Sequence, residues 1–478
     1  MNLKKITALI LASILAVGAV VFTSCGDEGE KGKNEVSGSV AEKLGIPAEL
    51  QNAGKGESFD FFITYSHHDA DFIQEEEVGD DIRDTIFARN QEIQDFFDVK
   101  FGVRKGDNDH VTAVPIARSL IQGNDDTYEV FINLQSTGMP LVYEDLFVEW
   151  GESMPYANLD NPWWYQNVNR DLNYNGKVYV TAGAYNFHAL KAACVLAFNK
   201  TMMDELDLEY PYAMVHDGTW TVDKFIEYNK AAIKDLNGDG TIEYENDRFG
   251  FGSWVYESTP ALYVSMGAES VIKDDKGLPK LNINNERTFN VLDKMIEVFK
   301  EGNGAFMNTV SVGGYGVADT MFTEGRLLFK QATLGGTSSL RNMEDDFGLV
   351  PYPKLNEEQE EYYSRIVNYA GLTYIPITNQ KLELTSALLE YMAYLSDRDL
   401  IPTFYDVILT VKTTRDVESE DMISIIRDGA RFMDENYLTS GTVLGMAQGG
   451  QNTLSSNYAS YGDTWNDKLD DIIEFWSK

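Results

Sequence analysis

Phe59, Phe61, Phe62 and Ile63 form a compact apolar run that predicts a strand over 59–65. Ile82, Ile86, Ile93, Phe96 and Phe97 follow at mostly helical spacing within Asp81–Phe97. A strand near Val99–Val103, a helix at Ala113–Gln122 and a strand at Tyr128–Leu134 continue the alternation. A β-α-β-α-β order implies a largely parallel sheet, with ligands held beyond the carboxyl ends of its strands. The pattern then changes. Asn175–Val180 reads as a turn into a strand, Val195–Phe198 as a strand and Lys200–Leu206 as a helix. Further helices are predicted at Val222–Leu236, Glu286–Glu301 and Ala318–Gly325. Strand-like segments return at Leu327–Gln331, Phe347–Pro351 and Gly371–Ile375, before helices at Leu382–Leu395, Glu420–Glu435 and Gly462–Trp476.

The N-terminus has another character. Lys4 and Lys5 precede an apolar run from Ile6 to Phe22, and Thr23-Ser24 lead into Cys25. This is the layout of a secretory signal peptide over residues 1–24. A small residue directly before such a cysteine resembles the bacterial lipobox, which implies lipidation of Cys25; a plain secretion signal with an incidental Cys25 is the alternative. Residues 25–56 have the composition of a flexible tether, with room for a short helix near Val40–Leu44.

Composition narrows the body. A chain of 478 residues with 43% hydrophobic and 12% aromatic content can bury more than one core. Its net charge of −37 would become −39 after loss of Lys4 and Lys5, which argues against nucleic acid or an anionic membrane surface as partner. Of two cysteines, Cys194 sits in the apolar stretch Ala192–Phe198 and is expected to be a small buried hydrophobe, leaving no intramolecular disulfide if Cys25 is acylated.

Several motifs then fall in one order. Asn175-Gly176-Lys177-Val178-Tyr179, Ala197-Phe198-Asn199-Lys200, Gly218-Thr219-Trp220-Thr221 and Phe322-Thr323-Glu324-Gly325-Arg326-Leu327-Leu328-Phe329 are followed by Asp346-Phe347-Gly348-Leu349-Val350-Pro351-Tyr352-Pro353. From about residue 57 to the C-terminus the chain resembles the family 1 extracellular solute-binding proteins, the group that includes maltose-binding protein. The resemblance implies an α/β fold of two lobes, of the type II periplasmic-binding-protein kind, with a ligand cleft between lobes joined by crossing strands and closing on a hinge. It places lobe 1 at 57–181 and 333–400, lobe 2 at 182–332 and 401–478, and crossings near Thr181–Ala184 and Gln331–Leu334. It implies capture of a carbohydrate, an oligosaccharide first, for the permease subunits of an ABC importer. The protein would be a monomer held by its lipid anchor on the outer face of the cell membrane, or on the periplasmic side in a two-membrane cell.

Sugar-binding members stack rings on pyranose faces and set planar polar groups against hydroxyls. The candidates here are Trp254, Tyr256, Tyr185, Asn186, Gln331, Gln135, His67 and Asp69, all near expected loop or crossing positions. Trp163-Trp164 is expected to pack. A secreted hydrolase is the contrasting reading, and a surface adhesion protein without transport a third. The sequence has no Gly-x-Ser-x-Gly, His-Glu-x-x-His or Gly-x-x-x-x-Gly-Lys-Ser/Thr motif, and with 76 carboxylates a plausible catalytic pair carries no weight. No catalytic residue and no catalytic cofactor is expected. A structural Ca²⁺ is expected in the loop Asp235-Leu236-Asn237-Gly238-Asp239-Gly240-Thr241-Ile242-Glu243, which has EF-hand-like spacing. Its ligands would be Asp235, Asn237, Asp239, Thr241 and Glu243, with the shell closed by Asn246 at position 12 or by Asp247 one residue later.

Overall fold

The computed structural model describes residues 40–65, 68–105, 110–410, 417–433 and 439–478. Cys25, the leader and most of the expected tether lie outside them, as does His67. The described end of that tether is part of the body: Leu50 is buried, and the N–H groups of Asn52, Gly54 and Gly56 donate to Phe96, Phe97 and Asp98 carbonyls at 2.7–2.9 Å. The extra backbone pairing caps the C-terminus of a helix, so the chain is fixed well before residue 57.

Thirteen strands occur among the described residues: β1 (Glu57–Ile63), β2 (Val99–Lys105), β3 (Val130–Leu134), β4 (Cys194–Asn199), β5 (Phe249–Trp254), β6 (Val271–Lys273), β7 (Pro279–Leu281), β8 (Ala305–Asn308), β9 (Leu327–Thr333), β10 (Phe347–Val350), β11 (Ser364–Arg365), β12 (Gly371–Tyr374) and β13 (Ala430–Arg431). The first sheet has the order β12-β3-β1-β2 and the second β10-β4-β9-β5-β8. β1 runs parallel to β2 and β3, and β5 parallel to β8 and β9, so each sheet turns the carboxyl ends of three parallel strands to one edge. Helices cover the sheets. Asp81–Phe97 starts at Asp80, whose carboxylate accepts from the Arg83 N–H at 3.0 Å, and buries Ile86, Ile93, Phe96 and Phe97. Glu286–Val298 starts the same way at Asn285 and buries Val291, Leu292, Met295 and Val298.

The fold is thus α/β with two lobes, one on each sheet. The chain leaves the first sheet beside β12, where Thr181 and Thr373 form an antiparallel bridge, and enters the second at β4. The expected strand after Asn175 is absent; only isolated bridges, Thr181 to Thr373 and Trp164 to Gly183, replace it. The expected return at Gln331–Leu334 also does not occur there. β10 lies antiparallel to β4, pairing Val350 with Leu196, so the chain stays in the second sheet and goes back through Ile366, bridged to Ala193, to β12. Ile401–Thr410 packs against Asp81–Phe97 of the first lobe, so the second lobe regains the chain later than residue 401, with Val417–Asp428 lying on β10. Cys194 is fully buried, and burial pushes its thiol up to about 12. Among the described residues no helix is long and apolar enough to cross a membrane.

Candidate functional site

The carboxyl ends of β5, β8 and β9 open onto a cavity of about 410 Å³, within the range of small-molecule sites (roughly 300–1,000 Å³). Trp254 ends β5 and is half-buried, with Tyr315 edge-on to it at 5.7 Å between ring centroids. Gln331 near the end of β9 is buried, its amide oxygen accepting from the Ser253 hydroxyl at 3.4 Å. Asn308, ending β8, donates to the Gly314 carbonyl at 2.9 Å, while its buried carbonyl oxygen has no hydrogen-bond partner among the described residues. Lys330 follows the apolar run Leu327–Phe329 in β9; its ammonium meets Asp319 at 2.6 Å and donates to the Gln331 carbonyl. Glu257, in the first turn of the helix Val255–Ser265, is pushed above the usual carboxylate range by burial, against the pull of Lys330 and Arg365. Glu257 in turn raises the Tyr315 phenol, with burial adding to it.

Tyr369, on the segment returning to β12, also lines the cavity, and its ring lies 5.5 Å from that of His188. His188 stands 4.2 Å from His68, which Tyr65 flanks at 5.1 Å just beyond β1. Behind Tyr369, ring contacts therefore run through His188 to the segment after β1. His68 is fully buried, and burial together with His188 pushes its imidazole down to about 3. Asp71, 3.6 Å from His188 and 3.5 Å from Lys191, is held below the ordinary range by those two neighbours although burial opposes it.

The expected ligand residues divide into several groups. Trp254 and Gln331 share the cavity; Tyr256 is half-exposed and lines a separate groove outside it, 5.4 Å ring to ring from Trp254. Tyr185 faces away: its ring is fully buried beside Trp164, and its hydroxyl donates to Thr373. Asn186 is buried in the crossing segment, accepting from Gly183 N–H and Thr373 hydroxyl and donating to the Gly371 carbonyl. These two sit in the crossing and not beyond it, because the crossing segment folds back as the helix Phe187–Lys191. Gln135 starts the helix after β3 and donates to the Met433 carbonyl at 2.9 Å. Asp69 opens the four-residue helix Asp69–Phe72. The lining residues Asn308, Tyr315, Lys330 and Tyr369 were not among those read from sequence, although a lysine directly after the apolar run Leu327–Phe329 was a usable sign.

The Asp235–Asp247 loop does not support the expected calcium. Asp235 accepts from Gly238 and Gly240 N–H, Asp239 from Thr241, and the fully buried Asp247 from Leu236 and Glu243. The carboxylates of Asp235, Asp239 and Asp247 are spent on the loop's own backbone, and no group of three or more His, Cys, Asp or Glu side chains among the described residues is placed to hold a metal. Trp163 and Trp164 pack, both donating to Glu390.

No protein-family model and no curated protein matches the chain. Solved structures do. The GacH receptor of Streptomyces glaucescens, solved unliganded and with acarbose, aligns with TM-score 0.56 and 12% identity over 87% of this chain and 99% of its own. Lmo0181 of Listeria monocytogenes, an ABC substrate-binding protein solved with cycloalternan, gives 0.55 and 11% over the same shares. This is the fold of the ABC substrate-binding proteins. UgpB of Mycobacterium tuberculosis, bound to glycerophosphocholine, shares it at TM-score 0.56 and 13% identity, again over 87% and 99%. In the substrate-binding fold the cavity between β5, β8 and β9 and the crossing segment occupies the interlobe position where strand ends converge.

Proposed function

We propose that this protein is the solute-binding component of an ABC importer and that its ligand is a carbohydrate. The observation that carries the reading is the interlobe cavity, where the rings of Trp254, Tyr315 and Tyr369 stand beside the planar or hydroxylic groups of Gln331, Asn308 and Ser253. Aromatic faces suit the C–H faces of a pyranose, and amides suit its hydroxyl rim. Lys330 is the sole cation among the lining residues, and Asp319 already pairs it, which favours an uncharged ligand over a phosphodiester such as the one UgpB holds. Lipid anchoring through Cys25, an extracytoplasmic location, docking to permeases as a monomer and closure on the crossing segments complete the proposal.

A glycan panel in a thermal-shift assay tests it, because a ligand specific to the folded state raises Tm by mass action. A binding sugar should alter tryptophan fluorescence, and Trp254→Ala should weaken it by about 1–3 kcal/mol with Tm of the free protein little changed. A panel without a single stabilising glycan would overturn the carbohydrate reading; full affinity in Trp254→Ala would take the stacking platform away from this ring.

A further inference from the structure

The motif Asn175-Gly176 lies outside the cavity, and it is one of three Asn-Gly pairs in the chain, with 237–238 and 303–304. In such a pair the asparagine amide is open to attack by the next backbone nitrogen, because glycine puts no side chain in the way. The sequence makes the three equivalent; the structure separates them. Asn303 is 7% exposed, and Gly304 packs so tightly on the helix Val222–Ala232 that a Cβ there would lie 2.2 Å from the Asn229 carbonyl oxygen. That pair has neither room to rearrange nor access to water. Asn237 and Gly238 are exposed, but Gly238 N–H donates to the Asp235 carboxylate at 2.6 Å, and the Asn237 amide is bonded to Asp239 through both its ends, at 2.8 and 3.0 Å. The nitrogen can attack only after losing its proton, and a carboxylate accepting from it keeps the proton in place.

Asn175 and Gly176 carry neither restraint. Both are exposed, at φ 53° and 71° in a turn that the Lys177 N–H closes on the Tyr174 carbonyl at 3.0 Å. The Gly176 N–H has no hydrogen-bond partner among the described residues, and apart from its chain neighbours no atom stands within 4 Å of where a Gly176 Cβ would be. Asn175 also fastens two other parts of the chain. Its N–H donates to the Gly277 carbonyl, between β6 and β7, at 2.8 Å, and its Nδ2 donates to the Trp476 carbonyl in the last turn of the helix Leu454–Ser477 at 2.9 Å. That carbonyl is one of those a helix end leaves without an internal partner.

We propose that Asn175 is a deamidation site, at which ageing of the protein unfastens its C-terminal helix. The Gly176 nitrogen gives its proton to solvent base and bonds to Asn175 Cγ; the Cγ–Nδ2 bond breaks, ammonia leaves with a proton from solvent, and a five-membered succinimide remains. Water then opens that ring at either carbonyl, giving aspartate or isoaspartate, and nothing is oxidised or reduced. Either product removes the donor to Trp476 and sets a carboxylate against the negative end of the helix dipole. Isoaspartate also lengthens the backbone beside the bond to Gly277.

The test is peptide mapping by mass spectrometry of the full mature protein after days in mildly alkaline buffer. The peptide carrying residue 175 should gain the mass difference between amide and acid several times faster than those carrying 237 and 303, and should contain isoaspartate. Asp235→Asn, which takes the charge from the Gly238 N–H, should speed conversion at Asn237. Asn175→Asp should lower Tm and hasten hydrogen exchange in the last turn of the C-terminal helix. Conversion at 237 or 303 ahead of 175, or an unchanged rate at 237 in Asp235→Asn, overturns the assignment of the site. Exchange and Tm unaltered by Asn175→Asp overturn the unfastening.

Discussion

Burial takes His68 out of water between Tyr65 and His188, and its imidazole is pushed down to about 3 from an ordinary value near 6.5. Above pH 6.5 the ring is neutral in both folded and unfolded chains and costs nothing. As pH falls below 6.5 the unfolded chain takes up a proton that the folded protein refuses, so stability is lost progressively until about pH 3. By pH 5 the loss is about 2 kcal/mol. His68→Phe should therefore lose about 2 kcal/mol less than the natural protein between pH 7 and pH 5 in urea unfolding. Parallel pH curves would mean that the imidazole reaches solvent. His68 was visible in the sequence only as half of a His-His pair; its partner His188 comes from the crossing helix, a contact across the lobes that spacing along one chain does not reveal.

At the scale of elements, the helix Leu382–Leu395 pins an irregular segment through one side chain. Glu390 accepts from the indole N–H groups of Trp163 and Trp164 at 3.0 and 2.7 Å, from the Asn161 amide at 2.7 Å and from Asn158 N–H at 3.0 Å. Glu390→Ala would leave the Trp164 indole N–H buried without this acceptor and should cost about 1–3 kcal/mol. Glu390→Gln, which keeps one acceptor oxygen, should cost less, and an equal loss for both would move the effect to packing. The sequence showed this helix well because its termini are polar and its apolar content is dense. It hid Val255–Ser265, which follows β5 without a break, contains Pro260 and buries eight of its eleven residues, so no polar face marks it. The same limit explains β10: four buried residues give a strand but say nothing about which sheet it joins, and the family resemblance put it in the wrong one. Among the site residues, Trp254 and Gln331 were legible because they lie at or near the carboxyl ends of strands, while Tyr315 and Tyr369 belong to loops whose course depends on the tertiary fold.

At the scale of the whole molecule, the lobes are joined by segments that bond to each other. Thr181 and Thr373 exchange backbone bonds at 3.3 and 2.8 Å, Val367 N–H donates to Ala192, and the Asn186 side chain reaches Gly183, Gly371 and Thr373. Rotation about such a narrow waist would let Tyr65 and His68 approach Trp254 and Tyr315. A bound oligosaccharide should then reduce the radius of gyration in small-angle scattering, and Asn186→Ala should weaken binding and lower stability by roughly 1–3 kcal/mol together. Binding with an unchanged scattering profile would rule out closure.

The same connectivity bears on how the chain comes to be folded. β12 completes the first sheet against β3, yet the entire second sheet lies between them in sequence. A chain emerging N-terminus first can form β1, β2 and β3 but must leave the β12 edge of β3 open until residue 374 has appeared. High contact order of this sort slows folding, and an open edge of five buried residues, Val130–Leu134, is a template for pairing with another chain. The first lobe is therefore the part of this protein that most depends on something shielding it during its own synthesis.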